Sequence, residues 1–322
     1  MIIARTPLRI TLGGGGTDLP FYYKKNEGFC VSASVKYYTY VTLSKTFYNY
    51  FILKYSKSEK VKNIRNIKHS TFKEIYKHFK VKDYLEATSL ADIPSGTGMG
   101  SSSSFTISLC LALNRYLNKR LNLNQIISLT CSSEMKISRS NTGMQDPYGV
   151  SYPGFNAFVF YKDDSISRKK IKVSKFFLKQ IEDRFVLVYS NFSRSSKKII
   201  CSQKKNYLAN KSLMLHYDKL KELGYQSFKA LKESDIESIA YILNEQAMIK
   251  NIINKNKINS ELENLRKLCL TNGALGGRIL GAGAGGFFLF CTKDKNKFKS
   301  FLHKKDIKSF DIEIDDKGPV IL

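Results

Sequence analysis

Asp92-Ile-Pro94-Ser-Gly96-Thr-Gly98-Met99-Gly100-Ser101-Ser102-Ser103-Ser104 divides a strand-like stretch, Asp83 to Ser89, from a helical one. After the serines, Phe105, Leu109, Ala112, Leu113, Tyr116 and Leu117 recur at the spacing of one helix face. The serine run therefore reads as the N-cap region of that helix. A glycine-rich loop running straight into a helix start presents unpaired main-chain N–H groups and the positive end of a helix dipole, a combination suited to phosphate. The segment lacks the Gly-Lys-Ser/Thr ending of a P-loop, and its G-x-G-x-G spacing is not that of a dinucleotide fold. Taken alone it also serves as a tight structural turn.

Working outward toward the N-terminus, residues 1 to 12 and Gly28 to Ser44 read as strands, the second rich in Val, Tyr and Thr. Between them lies Gly13-Gly-Gly15-Gly16-Thr17-Asp18, where the glycines allow main chain to approach a neighbour closely. Toward the C-terminus a helix is expected over 124 to 138, carrying Glu134. A turn-rich segment, Asn141-Thr-Gly143-Met-Gln-Asp146-Pro-Tyr-Gly149, follows it. Beyond about 163 the chain becomes more basic. It alternates a strand at Phe185 to Tyr189, helices over 195 to 270, and strands at Gly276 to Leu280, Phe287 to Cys291 and Phe310 to Ile314. Gly281-Ala-Gly283-Ala284-Gly285-Gly286 matches G-x-G-x-x-G, but the strand-like Phe287-Phe-Leu-Phe290 follows where a dinucleotide site needs a helix. Hydride transfer is disfavoured on that ground. The expected architecture is α+β, in two lobes over 1–165 and 166–322, each with a mainly antiparallel sheet and helices on one side.

The 322 residues include 53 Lys and Arg against 27 Asp and Glu, a formal charge of +26. The excess is mostly lysine and is spread over Lys54 to Lys82 and Arg168 to Lys205, without an arginine-rich block or stacking motif. It therefore reads as a solvated surface rather than a nucleic-acid footprint. A basic nucleic-acid-binding module without catalysis is the alternative from another class. The six cysteines form no CxxC pair and have no histidine couple at metal spacing, which argues against zinc and for reduced thiols in the cytoplasm. No signal-peptide core or membrane-length apolar run is evident.

Three segments, in this order, resemble the motifs of the GHMP kinase superfamily: Pro7-Leu-Arg9-Ile-Thr-Leu-Gly13 to Asp18, Pro94 to Ser104, and Leu280 to Phe287. The resemblance implies a ribosomal-protein-S5-like N-terminal lobe, a ferredoxin-like C-terminal lobe, and ATP-dependent transfer of a phosphoryl group to an alcohol. ATP phosphates would lie over Pro94, Gly96, Gly98, Met99, Gly100, Ser101, Ser102 and Ser103. Ser102 and Glu134 would hold Mg²⁺, which favours carboxylate and phosphate oxygens. Asp146 would align and deprotonate the attacking hydroxyl, with Arg9 stabilising charge; phosphoryl transfer mainly needs alignment and neutralisation.

The same resemblance assigns Gly15, Gly16, Thr17, Asp18, Arg194, Gly283, Ala284 and Gly285 to the acceptor. Galactokinase-like members read Gly-Glu-His-Thr-Asp in the first loop, whereas this chain has glycine at both the Glu and His places, a departure that points away from galactose. The all-glycine loop with Met-Gln-Asp resembles the bacterial D-glycero-D-manno-heptose 7-phosphate kinases and related fucokinase domains. That implies phosphorylation of an anomeric hydroxyl in a nucleotide-sugar route feeding surface polysaccharide. An acceptor already bearing phosphate needs fixed cations, for which Arg194, Lys197 and Arg278 are candidates. An unphosphorylated sugar such as fucose is the rival acceptor.

Overall fold

The computed structural model describes residues 1–139, 142–192, 196–210, 212–254, 260–283 and 285–322, the side chains of 196 and 197 excepted. The N-terminal part runs β1 (Ile2–Gly13), α1 (Pro20–Asn26), β2 (Gly28–Lys45), β3 (Phe51–Lys54), β4 (Ser58–Val61), α2 (Ser70–His78), β5 (Leu85–Ala91), α3 (Ser101–Tyr116), α4 (Leu123–Ser138), α5 (Gln145–Ser151), β6 (Phe155–Phe160) and β7 (Ile166–Ile171). There follow α6 (Lys175–Arg184), β8 (Phe185–Tyr189), α7 (Ser196–Ala209), α8 (Leu213–Glu233), α9 (Ile236–Ile253), α10 (Ser260–Thr271), β9 (Ala274–Ile279), β10 (Phe287–Thr292), α11 (Lys295–Lys304), β11 (Ser309–Asp311) and β12 (Val320–Ile321).

The first sheet has the order β12-β1-β2-β5-β3-β4, with β6 on the remaining edge of β2 and β7 beyond it. Its named pairs are antiparallel except β3 with β5. β2 serves two partners on one edge: Gly28 to Ala33 pair with β6 and Thr39 to Lys45 with β5, while β1 runs along the other edge. The second sheet, β11-β8-β10-β9, is antiparallel throughout. The first sheet draws on chain from both sides of residue 165, since β7 extends it to Ile171 and β12 returns to pair with Ala4 and Arg5.

β1 is buried without interruption from Thr6 to Gly13. Its alternation sends Leu8, Ile10 and Leu12 into the core shared with Leu220, Leu223, Ile239 and Leu243 of α8 and α9. The intervening Arg9 and Thr11 instead reach Asp146 and Gln145 of α5. Helix α3 buries the face expected of it, with Phe105, Leu109, Ala112 and Leu113 in the core under the first sheet. Each large apolar side chain so buried contributes roughly 1.5–3 kcal/mol.

Some local expectations change. The segment expected to be turn-rich becomes α5 from Gln145 onward, with Asp146 in its first turn and Pro147 early, where its missing N–H costs no hydrogen bond. The strand expected over Phe310 to Ile314 is shorter, Ser309–Asp311. Beyond it Ile314 forms an isolated bridge to Val35 of the first sheet. Among the described residues no helix is long and apolar enough to cross a membrane.

Candidate active site

Gly96, Gly98 and Gly100 adopt φ of 78°, 81° and 76°, a left-handed conformation that disfavours any side chain. Their alternation lets the loop coil tightly before α3, whose N-cap, Gly100, has no side-chain cap. The first N–H groups of α3 are therefore not satisfied by a capping side chain. At the third glycine motif, close approach is the constraint. A Cβ on Gly98 would lie 2.6 Å from the Leu280 carbonyl oxygen, and one on Gly281 would lie 2.7 Å from the Gly98 Cα. The Phe287 N–H also donates to the Thr97 carbonyl at 3.2 Å. The third motif thus buttresses the second, main chain on main chain.

Arg9 is 1% exposed and clamps this loop to α5. Its Nη1 donates to the Gly98 carbonyl at 2.6 Å, while Nε and Nη2 donate to Asp146 Oδ1 at 3.0 and 2.6 Å. The Arg9 N–H adds a bond to the Met99 carbonyl at 3.0 Å. Met99, expected beside ATP, has its side chain in the core, so only its main chain shapes the loop. Pro94 is exposed and its carbonyl accepts from Thr97 Oγ1.

In the first loop Thr17 is fully buried, its one hydroxyl proton shared between the carbonyls of Gly14 and Phe29 and its oxygen accepting from the Phe29 N–H. It was expected to touch the acceptor; instead its hydroxyl is consumed in fixing the loop to β2. Asp18 is buried as well. Its Oδ1 accepts from the Gly16 N–H at 3.0 Å and its Oδ2 from the Gln145 N–H at 3.2 Å, so it staples the first loop to the start of α5. A Cβ on Gly143 would fall 1.8 Å from Asp18 Oδ2, so this approach tolerates only glycine. Burial, then the nearby Asp146 charge, push the Asp18 carboxyl up, with the two N–H bonds and Lys250 acting in the opposite direction.

Glu134 projects from α4 toward the serines. It is Ser103, not the neighbouring Ser102, whose hydroxyl donates to Glu134 Oε1, at 2.8 Å. Burial pushes the Glu134 carboxyl up to about 8, with Asp146 adding to the effect and the Ser103 bond opposing it. Among the described residues Glu134 has a hydroxyl but no cation as its partner, and Asp146 lies near, so a divalent cation fits here: a desolvated carboxylate without a counter-charge is costly. No cluster of three His, Cys, Asp or Glu side chains forms among the described residues. Such a donor set suits Mg²⁺, which commonly takes one or two carboxylates and completes its shell with water and phosphate oxygens.

A cavity of about 270 Å³ joins these parts, lined by Arg9, Gly16, Asp18, Gly96, Gly98, Gly100, the serines 101 to 103, Glu134, Gly143, Gln145, Asp146, Gln203, Lys250, Gly281 and Ala282 among others. Ser102 is exposed on its wall. Gly15 lies just behind, with Thr11, Gln145 and Arg278 close to where its Cβ would be. Gly283 and Gly285 are buried and are not among the lining residues. Arg194 and Ala284 lie outside the described residues, as does the side chain of Lys197. Arg278 is buried, and its guanidinium is directed at main chain, the Thr11 carbonyl at 2.7 Å and that of Ile279 at 3.4 Å. Gln145, Gln203 and Lys250 were not singled out from sequence. Gln145 sat one residue from a named acid and could have been, but nothing local marks the other two.

An anion cradle facing an open carboxylate across a cavity of this size suits phosphoryl transfer to a small molecule, which makes the class a small-molecule kinase. Residues 61–154 match the model for the GHMP kinases N terminal domain, and residues 227–306 that for the GHMP kinases C terminal region. A D-glycero-alpha-D-manno-heptose 7-phosphate kinase from Campylobacter jejuni is 31% identical over 310 residues, covering 92% of this chain and 91% of that protein. In fold the chain is similar to a D-glycero-D-manno-heptose 1-phosphate kinase from Bacteroides thetaiotaomicron, with a TM-score of 0.81 at 20% identity, over 100% of this chain and 99% of that one. A galactokinase from Lactococcus lactis, solved with galactose, gives a TM-score of 0.76 at 14% identity over 100% and 95% of the two chains. The chain belongs to the GHMP kinase family, whose members use ATP as phosphate donor.

Proposed function

We propose that this chain transfers the γ-phosphoryl group of ATP to a hydroxyl of a sugar phosphate, the anomeric hydroxyl of D-glycero-D-manno-heptose 7-phosphate. The observation that carries the reading is the placement of Asp146. Its Oδ1 is held by Arg9, and its Oδ2 has no partner among the described residues in a carboxylate that lines the cavity. Asp146 Oδ2 accepts the proton of the acceptor hydroxyl, the acceptor oxygen bonds to the γ-phosphorus, and the bond from that phosphorus to the bridging oxygen breaks to leave ADP.

The main chain of Gly98 to Ser103 cradles the nucleotide phosphates, and Arg9 offsets charge between that loop and Asp146. Glu134 and Ser102 would hold Mg²⁺, with Ser103 orienting the Glu134 carboxylate, and there the ion would supply neutralisation of phosphate charge. Gly16 and Asp18 form the acceptor wall with Gly15 just behind it, and Asp18 acts by fixing the loop. The choice of a heptose phosphate rests on the relative from Campylobacter jejuni, named as a kinase of heptose 7-phosphate. The described cysteines are unpaired thiols, which suits a protein working in the cytoplasm.

The test is a coupled ADP-release assay with MgATP over a panel of heptoses and hexoses, each with and without a terminal phosphate. Turnover confined to the neutral sugars removes the sugar-phosphate acceptor. Absence of turnover with every sugar, together with salt-sensitive RNA binding, favours the basic binding-module reading instead.

A further inference from the structure

Lys250 stands on α9, 7% exposed, and reaches the cavity from the C-terminal lobe. Its ammonium lies 3.1 Å from the position a Cβ on Gly16 would take, so glycine at 16 is what lets the side chain in. Of the other cations in this region, Arg9 is committed to Asp146 and the Gly98 carbonyl, while Arg278 gives Nη1 and Nη2 to the carbonyls of Ile279 and Thr11, keeps an unpartnered Nε, and is not among the residues lining the cavity. Asp18, the acid beside it, spends its oxygens on the N–H groups of Gly16 and Gln145. No hydrogen bond or ion pair engages the Lys250 ammonium among the described residues. Burial, then the charge of Arg278 and, more weakly, of Arg9, lower its pKa to about 8, against the pull of Asp18. An ammonium taken out of water without a partner is costly unless an anion arrives to pair with it.

We propose that Lys250 binds a phosphoryl group at the Gly16 end of the cavity. The inference rests on the kinase reading above and adds a contact that the sequence motifs do not contain. Two sources supply the same chemistry: the phosphate the acceptor already carries, or the phosphoryl group in transit from ATP. Either places a compact anion against a fixed point charge, the type of contact lysine makes.

The experiment compares the full chain with Lys250→Met and Lys250→Arg, using heptose 7-phosphate and the same heptose without phosphate at saturating MgATP. Thermal melts establish that each variant is folded. If the acceptor's phosphate is the ligand, Lys250→Met raises KM for the phosphorylated acceptor about 10- to 100-fold, the size of a lost hydrogen bond to a charged group. KM for the plain heptose then stays within about twofold. If the phosphoryl group in transit is the ligand, kcat falls by a similar factor on both acceptors. In either case Lys250→Arg restores part of the loss, which a purely structural role does not predict. A folded Lys250→Met with unchanged kinetics on both acceptors overturns the inference while the kinase reading stands. A wild-type chain inactive on every sugar overturns both. Should Lys250→Met fail to fold, Lys250→Arg carries the test, because it keeps the charge but moves it. Unaltered KM and kcat on both acceptors then count against the proposal, and a shift in either supports it.

Discussion

Arg9 places two donors on one oxygen of Asp146: Nε at 3.0 Å and Nη2 at 2.6 Å both meet Oδ1, and Oδ2 is left without a protein partner among the described residues. The asymmetry matters because Arg9 is buried and Asp146 is 35% exposed. One oxygen anchors the side chain, while the other is available to an acceptor. The third nitrogen of the same guanidinium holds the Gly98 carbonyl, so Asp146 and the glycine-serine loop are positioned by a single planar group.

Asp146→Asn should therefore separate anchoring from chemistry. The amide oxygen can still accept from Arg9, so the melting temperature should stay within a few degrees of wild type, while turnover falls about 10²- to 10⁴-fold for want of a base. Asp146→Ala should lose a similar amount of turnover and melt lower than Asp146→Asn, because buried Arg9 then loses its hydrogen-bond acceptor as well as its counter-charge. Steady-state kinetics and thermal melts on both variants check this. Wild-type turnover in Asp146→Asn removes the base assignment.

Arg9→Lys tests the clamp. A single ammonium cannot span Asp146 and the Gly98 carbonyl in the fork geometry of a guanidinium. With hydrogen bonds to charged groups worth about 1.5–3 kcal/mol each, kcat/KM should drop at least about tenfold, with KM for ATP and kcat both affected because the two parts lose their common anchor. A lysine variant with wild-type KM for ATP and wild-type kcat contradicts this role.

Much of the site was legible because main-chain demands leave glycine as their trace. The Gly96-x-Gly98-x-Gly100 spacing before a periodic helix announces a tight loop at a helix start, and the four glycines from 13 to 16 announce close packing. Asp146 and Glu134 were reached through the family resemblance, by matching positions, rather than from any local pattern. What the sequence could not show is which hydroxyl of a serine run turns toward Glu134, since that depends on the α3–α4 packing that places Ser103 inside and Ser102 outside. Nor could it show that Thr17 turns inward to β2, or that Lys250, one lysine among dozens, is carried by α9 to the side of Gly16. The pairing of residues 320 and 321 with β1 is equally hidden, because two residues carry no periodicity.

Gly143→Ala addresses the staple between the first loop and α5. The added methyl would overlap Asp18 Oδ2 at 1.8 Å, so either Asp18 gives up its bond to the Gln145 N–H or the backbone shifts. Acceptor KM should rise and kcat fall, together by about 10²-fold, since roughly 1 Å of misplacement near a reacting centre has that effect. ATP affinity should change little, because the added methyl of Gly143→Ala meets Asp18 rather than the glycine-serine loop. Isothermal titration with an ATP analogue beside acceptor kinetics distinguishes the two. Equal losses on both substrates would point to general unfolding rather than a displaced acceptor wall.

Glu134 gives the pH dependence its sign. Its carboxyl is pushed up to about 8 by burial, so the folded chain keeps a proton there through a range in which the unfolded chain has released it. Stability from this group is full below the ordinary carboxylate range and is lost as the pH rises toward 8. In the absence of metal the wild-type chain should melt progressively lower between pH 5 and pH 8, whereas Glu134→Gln, which cannot ionise, should lose that part of the slope. A difference of only about 1 kcal/mol moves the midpoint by about 2–4 °C in domains of this general size. MgATP should reduce the wild-type slope, because a cation beside Glu134 favours the carboxylate, and it should do less for the glutamine variant, whose turnover should also require more magnesium. Identical slopes for the two proteins without metal would show that Glu134 is not the titrating acid, and identical magnesium requirements that it is not the ion's ligand.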